Sequence, residues 1–421
     1  MARLMRIIRD TVLILMISLG ILVLGELGLS IIFPEKVKLS NPFKPFAYVY
    51  HPEYFLKLRP NAEGEFQRKK ENGGQQIRWK TNSDSFRGPE LKPSPNYRII
   101  VYGDSNIQAR FSEWDHTYAA RLNHYLEESS IPGTEVLNAG IVGFGPDQQY
   151  LRFADEVDRY KPDMVIFNIF ADNDFGDLIR NQIYRFNKLG EFEKTTLKRK
   201  AKLQFIDSKK ARLRVFTQNL LLTRSLQNLL NLDSQDAKER KEYPSDRWYH
   251  DKEYRDAKVQ ELCKIEYEQY LVFDSTPNPF WTHYDLDVAT APSDIASITK
   301  INLMEAVLTN AHGFAQSKGV HFFVLIQPSS FDMTMENGVL NYEYLKKYPA
   351  YERTNLTATI QNICEKHKIP YLNLFPIFED NDPETLYFRA GDNHWNDRGQ
   401  DLAAKSTASQ ISDSIKDHLN Q

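Results

Sequence analysis

The chain has 421 residues, 41% hydrophobic and 26% charged, with a formal net charge of -3. That is globular composition, enough for one large domain or two modest ones, and it argues against a disordered chain. So small a charge, with no motif of an RNA or DNA module, argues against a nucleic-acid partner. Cys263 and Cys364 are the only cysteines and lack C-x-x-C spacing, so they build neither a zinc site nor a disulfide scaffold, and whether they pair is open.

Thr11 to Phe33 is almost wholly apolar, and Pro34 ends the run. At ~1.5 Å per residue such a helix crosses the ~30 Å hydrocarbon core of a bilayer. The run is longer than the apolar core of a signal peptide, and neither a small-x-small cleavage site nor a lipidated cysteine follows, which favours an uncleaved signal anchor over 1–34. Arg3, Arg6 and Arg9 precede it, and basic flanks stay cytoplasmic. The expectation is a single-pass protein of the cytoplasmic membrane with everything after Pro34 periplasmic or extracellular. Glu26 lies towards the outer end of the span, where a carboxylate is tolerated near the interface or meets a partner helix.

Residues 35–96 are rich in Pro, Asn and aromatics without periodicity, which suits a lead-in packed on the catalytic domain. Alternation then begins: a strand at Arg98–Tyr102, an amphipathic helix over Tyr118–Glu128, a strand at Val136–Ala139, a helix opened by Pro146, and the apolar strand Met164–Phe170. It resumes with a helix near Asn302–Gln316, a strand at Val320–Ile326, a helix around Leu356–His367, a strand at Tyr371–Leu374, and a last helix from about Gly399. This order predicts an α/β fold, a doubly wound, flavodoxin-like parallel sheet of five strands with right-handed crossovers. The catalytic domain spans 97–180 and 298–421. The stretch 181–297 is too long for a β-α loop and reads as a cap-like insertion with its own helices. It opens basic, with Lys194, Lys198, Arg199, Lys200, Lys202, Lys209, Lys210, Arg212 and Arg214, a solvated face or a contact for an anionic glycan or lipid headgroup. Further on it is aromatic, with Trp248, Tyr249, Tyr254, Phe280, Trp281 and Tyr284, a small core or a stacking surface for sugars.

In such sheets the site lies at the carboxyl ends of the strands. The first strand runs into Gly103-Asp104-Ser105-Asn106, the second into Asn138-Ala139-Gly140, and the third into Ala171-Asp172-Asn173-Asp174. Before the last helix stands Gly391-Asp392-Asn393-His394-Trp395-Asn396. A serine needs a base to become a nucleophile, and a histidine needs an acceptor to hold its tautomer. Asp392 and His394 supply both if their loop folds beside Ser105. Asp172, Asp174 and Asp177 do not make an EF-hand, because the position that would need an acid holds Ile183. Nor does Ser105 sit in the G-x-S-x-G elbow of an α/β-hydrolase.

Together these blocks resemble the SGNH hydrolases, or GDSL family, over Ile99–Asp174 and from Val320 onward. Thr81-Asn82-Ser83-Asp84-Ser85-Phe86-Arg87-Gly88 is similar to the Asn-Ser-x-Gly-Phe-Arg element of membrane-anchored bacterial members, with Ser85 in place of the glycine. The resemblance implies that Ser105 is the nucleophile, His394 its base and Asp392 the orienting carboxylate. It also implies an oxyanion hole built by the N–H groups of Ser105 and Gly140 and the amide of Asn173, with no cofactor and no metal. In the family the aspartate usually stands three residues before the histidine. Here the spacing is two, as in the alginate-type O-acetyltransferases, and Asn106 replaces a hydrophobic or small neighbour. The expected activity is hydrolysis or transfer of an O-acyl group, acetyl above all, on a polysaccharide or glycolipid. A non-catalytic glycan-binding or assembly subunit of the same fold is the alternative.

Overall fold

A computed structural model of the chain describes residues 2–32, 46–187, 189–195, 208–229, 253, 285–290, 292–293, 295–335, 351–389 and 392–420. Two compact units are present, one made of Met1–Tyr50 and Ala201–Tyr243, the other of His51–Lys200 and Pro244–Gln421.

In the first unit α1 (Ala2–Ile32) is long and apolar enough to cross a membrane, with a mean hydropathy of 2.5 in its most apolar window and none of that window buried. The second unit contains, ahead of its main sheet, an antiparallel hairpin, β1 (Glu63–Gln67) and β2 (Gln76–Lys80). The core strands are β3 (Tyr97–Gly103), β4 (Thr134–Gly140), β5 (Met164–Ala171), β6 (His321–Pro328) and β7 (Tyr371–Asn373). They form one parallel sheet in the order β7-β6-β5-β3-β4. The helices used below are α2 (Ser105–Gln108), α3 (Tyr118–Glu128), α4 (Pro146–Tyr160), α5 (Asp174–Asn181), α6 (Lys209–Asn219), α7 (Leu221–Leu229), α8 (Ile295–Ser317), α9 (Asn355–His367) and α10 (Asp397–Leu419). The doubly wound, five-stranded fold expected from the alternation is the fold observed.

The period of two along each strand sorts the core into two layers. Ile99, Val101 and Ile166 pack with Leu122 and Leu126 of α3 and Ala404 and Ile411 of α10. Ile100, Tyr102, Val165 and Phe167 pack on the other face with Phe153 of α4, Leu308 of α8 and Ile360 of α9. Cover on both faces is what a continuous apolar run such as Met164–Phe170 requires. Phe167 is fully buried, with ring centroids 4.8 Å from Phe322 and 5.7 Å from Tyr102. Phe167→Ala is therefore expected to cost ~3–5 kcal/mol of stability, read as a lowered midpoint of denaturant unfolding.

Strand order reverses between β3 and β5, whose connections leave on opposite faces, and this switch point opens a crevice at their carboxyl ends. The elements beside it start and stop by side-chain capping. Asn396 accepts hydrogen bonds from the N–H groups of Arg398 and Gly399, so α10 starts at Asp397, slightly ahead of the expected Gly399. Ser85, which stands where the resembling element has glycine, adopts φ +73°, the left-handed region that glycine enters without strain. Cys364 is a buried free thiol in α9, its pKa pushed up to about 12 chiefly by burial. Cys263 and the aromatics Trp248, Tyr249, Tyr254, Phe280, Trp281 and Tyr284 lie outside the described residues, as do Lys198, Arg199, Lys200 and Lys202 of the basic cluster.

Candidate active site

The site starts at Gly103, where a Cβ would lie 2.4 Å from the Ile107 side chain, so the turn out of β3 admits only glycine. Asp104 then caps α2 by accepting the Asn106 N–H at 2.7 Å, which sets Ser105 at the first helical position. Ser105 Oγ lies 2.7 Å from His394 Nε2. On the far side of the ring, His394 Nδ1 lies 2.6 Å from Asp392 Oδ1, which also accepts the His394 backbone N–H at 3.0 Å. Serine, histidine and aspartate are thus brought into one hydrogen-bonded row from positions far apart in sequence. With Nδ1–H donating to the carboxylate, the lone pair of Nε2 is left for the serine hydroxyl. Burial raises the Asp392 pKa, but the hydrogen bonds and charge of His394, with Lys69 adding, outweigh it, and the net direction is downward. The two-residue spacing closes because one carboxylate oxygen serves both the ring and the backbone of His394.

Neighbouring loops hold His394 in place. Asn393 Nδ2 donates to Asp172 Oδ2 at 2.5 Å, the Trp395 N–H donates to Asn106 Oδ1 at 3.0 Å, and the Phe388 N–H donates to the His394 carbonyl at 3.0 Å. Trp395 is buried with its ring 5.6 Å from Phe378, and Phe111 meets the His394 ring edge-on at 5.9 Å. Asn106, whose amide had no evident purpose in the sequence, therefore ties the nucleophile turn to the base loop. Asn106→Ala strands the buried Trp395 N–H, a loss of ~1–3 kcal/mol, and loosens His394 relative to Ser105. The expected result is a kcat lowered ~10-fold with KM nearly unchanged; a change in KM alone would count against a positioning role.

The buried Arg87 of the lead-in was also missed as a site residue. Its guanidinium donates to the carbonyls of Gln108, Ala109 and Ser112, which end α2. The Asn-Ser-x-x-Phe-Arg element thus supports the nucleophile turn from behind. Asn82 shapes that element by accepting the N–H groups of Asp84 and Phe86, each at 3.0 Å.

Of the expected oxyanion donors, the Gly140 N–H is the one engaged elsewhere in this structure. The Gly140 N–H donates to Asn138 Oδ1 at 3.0 Å, so it is already committed to the turn that ends β4. Gly140 is needed for another reason: a Cβ there would stand 2.1 Å from the Gln108 backbone nitrogen. Farther along the same loop Gly143 has φ +71°, and its N–H has no partner among the described residues. Asn173 is half-buried immediately before α5, its Oδ1 likewise without a partner among those residues. The three aspartates near it serve the protein itself. Asp172 holds Asn393, Asp174 accepts the Phe170 N–H at 2.7 Å, and Asp177 pairs with Arg180 at 2.6 Å. Burial raises the Asp174 pKa well above the usual carboxylate range, with Asp104 and Asp177 adding to it. Among the described residues no group of His, Cys, Asp and Glu is arranged to hold a metal ion.

This row of a serine nucleophile, its histidine base and an orienting carboxylate is the constellation of a serine esterase or acyltransferase. Residues 281–421 match the family described as the SGNH hydrolase-like domain of the acetyltransferase AlgX; the match takes in Asp392 and His394 but not Ser105. No curated protein matches the chain. Similar solved structures include the acetyl xylan esterase AlAXEase, at 12% identity over 75% of this chain and 99% of that one, with a TM-score of 0.35. A catalytic mutant of Axe2, an acetylxylan esterase from Geobacillus stearothermophilus, shares 11% identity over 76% of this chain and 96% of that one, TM-score 0.36. A lipase/acylhydrolase from Enterococcus faecalis shares 10% over the same proportions, TM-score 0.36. Likenesses at such scores define neither a site nor a substrate.

Proposed function

We propose that this protein is a membrane-anchored, extracytoplasmic O-acetyl esterase or O-acetyltransferase that acts on a polysaccharide or glycolipid through an acetyl-Ser105 intermediate. The observation that carries the chemistry is the unbroken row Ser105 Oγ, His394 Nε2, His394 Nδ1, Asp392 Oδ1, at 2.7 and 2.6 Å. Ser105 Oγ attacks the ester carbonyl carbon while His394 Nε2 takes the hydroxyl proton, and Asp392 stabilises the imidazolium so formed. The Ser105 N–H, the Asn173 amide and the Gly143 N–H, in place of that of Gly140, hold the oxyanion. A fixed donor of this kind is worth ~3 kcal/mol in rate. On collapse the C–O bond to the leaving alcohol breaks, and His394 returns the proton to that alcohol. Water or a sugar hydroxyl, deprotonated by His394, then attacks the acetyl-serine; the acyl C–O bond to Ser105 breaks, His394 returns the proton to Ser105 Oγ, and acetate or the acetylated sugar leaves.

Residues 1–34 anchor the chain, 35–96 support the catalytic domain formed by 97–180 and 298–421, and 181–297 is an insertion in it. The carbohydrate substrate rests on the family of the C-terminal match, and the outward orientation rests on Arg3, Arg6 and Arg9 ahead of the span. The AlgX-type match and the short Asp-x-His spacing favour transfer over hydrolysis. The test supplies an activated acetyl donor with and without oligosaccharide and follows both acetate release and sugar acetylation. Transfer predicts acetylated oligosaccharide at the expense of acetate. An unchanged acetate yield with no sugar acetylated would leave an esterase.

A further inference from the structure

Glu26 is the one charged residue of α1 after Asp10, and both of its carboxylate oxygens are engaged. Oε1 accepts the N–H of Leu221 at 2.7 Å and Oε2 the N–H of Leu222 at 2.8 Å. These are the first two N–H groups of α7, among those that a helix leaves unsatisfied at its positive end. A carboxylate there meets both the free donors and the dipole, and it is spared the cost of facing lipid alone. Glu26 lies six residues before the end of α1, ~9 Å along the axis, so the start of α7 is held near one end of the apolar span.

Only Leu220 separates α7 from α6. The stretch 208–229 contains Lys209, Lys210, Arg212, Arg214 and Arg224 and no acidic residue. On α6, Lys209, Lys210 and Arg214 are exposed around Leu213, itself 56% exposed. Cations clustered without an acidic neighbour, on a helix that follows directly into one docked on an apolar span, are placed to meet anionic headgroups, with the amines and guanidinium at the headgroups and Leu213 beside them. A sugar polymer would match the charge, but it gives no reason for docking on an apolar span.

We propose that α6 and α7 form a membrane-surface hairpin, docked on the anchor through Glu26 and seated on anionic phospholipid through Leu213, Lys209, Lys210 and Arg214. The proposal rests on α1 being a membrane span, and the test separates the two. Full-length protein carrying Cys263→Ser receives an environment-sensitive fluorophore at Leu213→Cys or, separately, at Leu15→Cys within the span. Each is placed in phosphatidylcholine vesicles with and without phosphatidylglycerol, and quenching by spin-labelled lipid is measured. The proposal expects deep quenching at position 15 in both vesicles. At position 213 it expects shallow quenching that depends on phosphatidylglycerol, weakens with salt, and is lost in Glu26→Ala and in the triple variant Lys209→Gln, Lys210→Gln, Arg214→Gln. Quenching at 15 but not at 213 overturns the hairpin and leaves the anchor standing. Quenching at neither position overturns both, and quenching at 213 that is indifferent to charge and salt overturns the anionic-lipid contact.

Discussion

Ser105→Ala is expected to lower turnover of p-nitrophenyl acetate ~10⁶-fold and to abolish labelling by a fluorophosphonate probe. The geometry makes this the largest single effect, because Ser105 Oγ is the one atom that is both 2.7 Å from a base and set at the first position of α2. The helix end adds a favourable field for charge developing at that oxygen. Among the described residues the hydroxyl has, apart from His394, only a long contact with Asp104, at 3.5 Å. Its removal therefore should leave the melting temperature almost unchanged, so a lost activity cannot be put down to unfolding. His394→Ala should produce nearly the same loss, and the double variant no more than either alone, since the two residues act as one unit. Labelling that survives in Ser105→Ala would assign the nucleophile elsewhere and, with it, remove the acetyl-serine intermediate.

The sheet was legible because its strands are covered on both faces: Met164–Phe170 and Val320–Ile326 are apolar runs broken only by Asn168 and His321, short enough for strands and rich in β-branched and aromatic residues. The site was legible as types, in that glycine, aspartate and asparagine after a strand are ordinary loop residues individually and informative only in order. Three features were not accessible at this level. Asn106 works through a hydrogen bond to Trp395, 289 positions away, and no local pattern announces such a partner. Arg87 acts by filling the carbonyls at the end of α2 from a segment without periodicity. For Gly140 the sequence leaves two roles open, because a strand-end glycine serves equally as an oxyanion donor or as space for a neighbouring backbone. The structure shows the second role directly, since a Cβ at Gly140 would stand 2.1 Å from the Gln108 nitrogen, and it shows the Gly140 N–H bonded to Asn138. Glu26 belongs with these, since its partners lie 195 and 196 residues away.

Asp392→Asn should lower kcat ~10⁴-fold with little change in KM, and the cause is the tautomer of His394. A carboxylate only accepts, so it forces the proton onto Nδ1 and leaves Nε2 free to take the serine proton. An asparagine amide presents a donor as readily as an acceptor, and donation to Nδ1 would put the ring proton on Nε2, facing Ser105, where no base remains. The same pair has a pH signature. Asp392 titrates below its ordinary value of 3.8, the rise from burial being outweighed by the hydrogen bonds and charge of His394. A depressed carboxylate contributes stability that is present above the unfolded value and is lost as pH falls through the folded one. The wild-type protein should therefore hold a constant stability advantage over Asp392→Asn down to about pH 4 and lose it in more acid solution. Melting curves of the two proteins across that range read the difference directly. An advantage that grows as the pH falls would mean that Asp392 is protonated in the folded enzyme, and an undiminished kcat in Asp392→Asn would show that His394 takes its orientation from the Asn106 and Asp172 contacts alone.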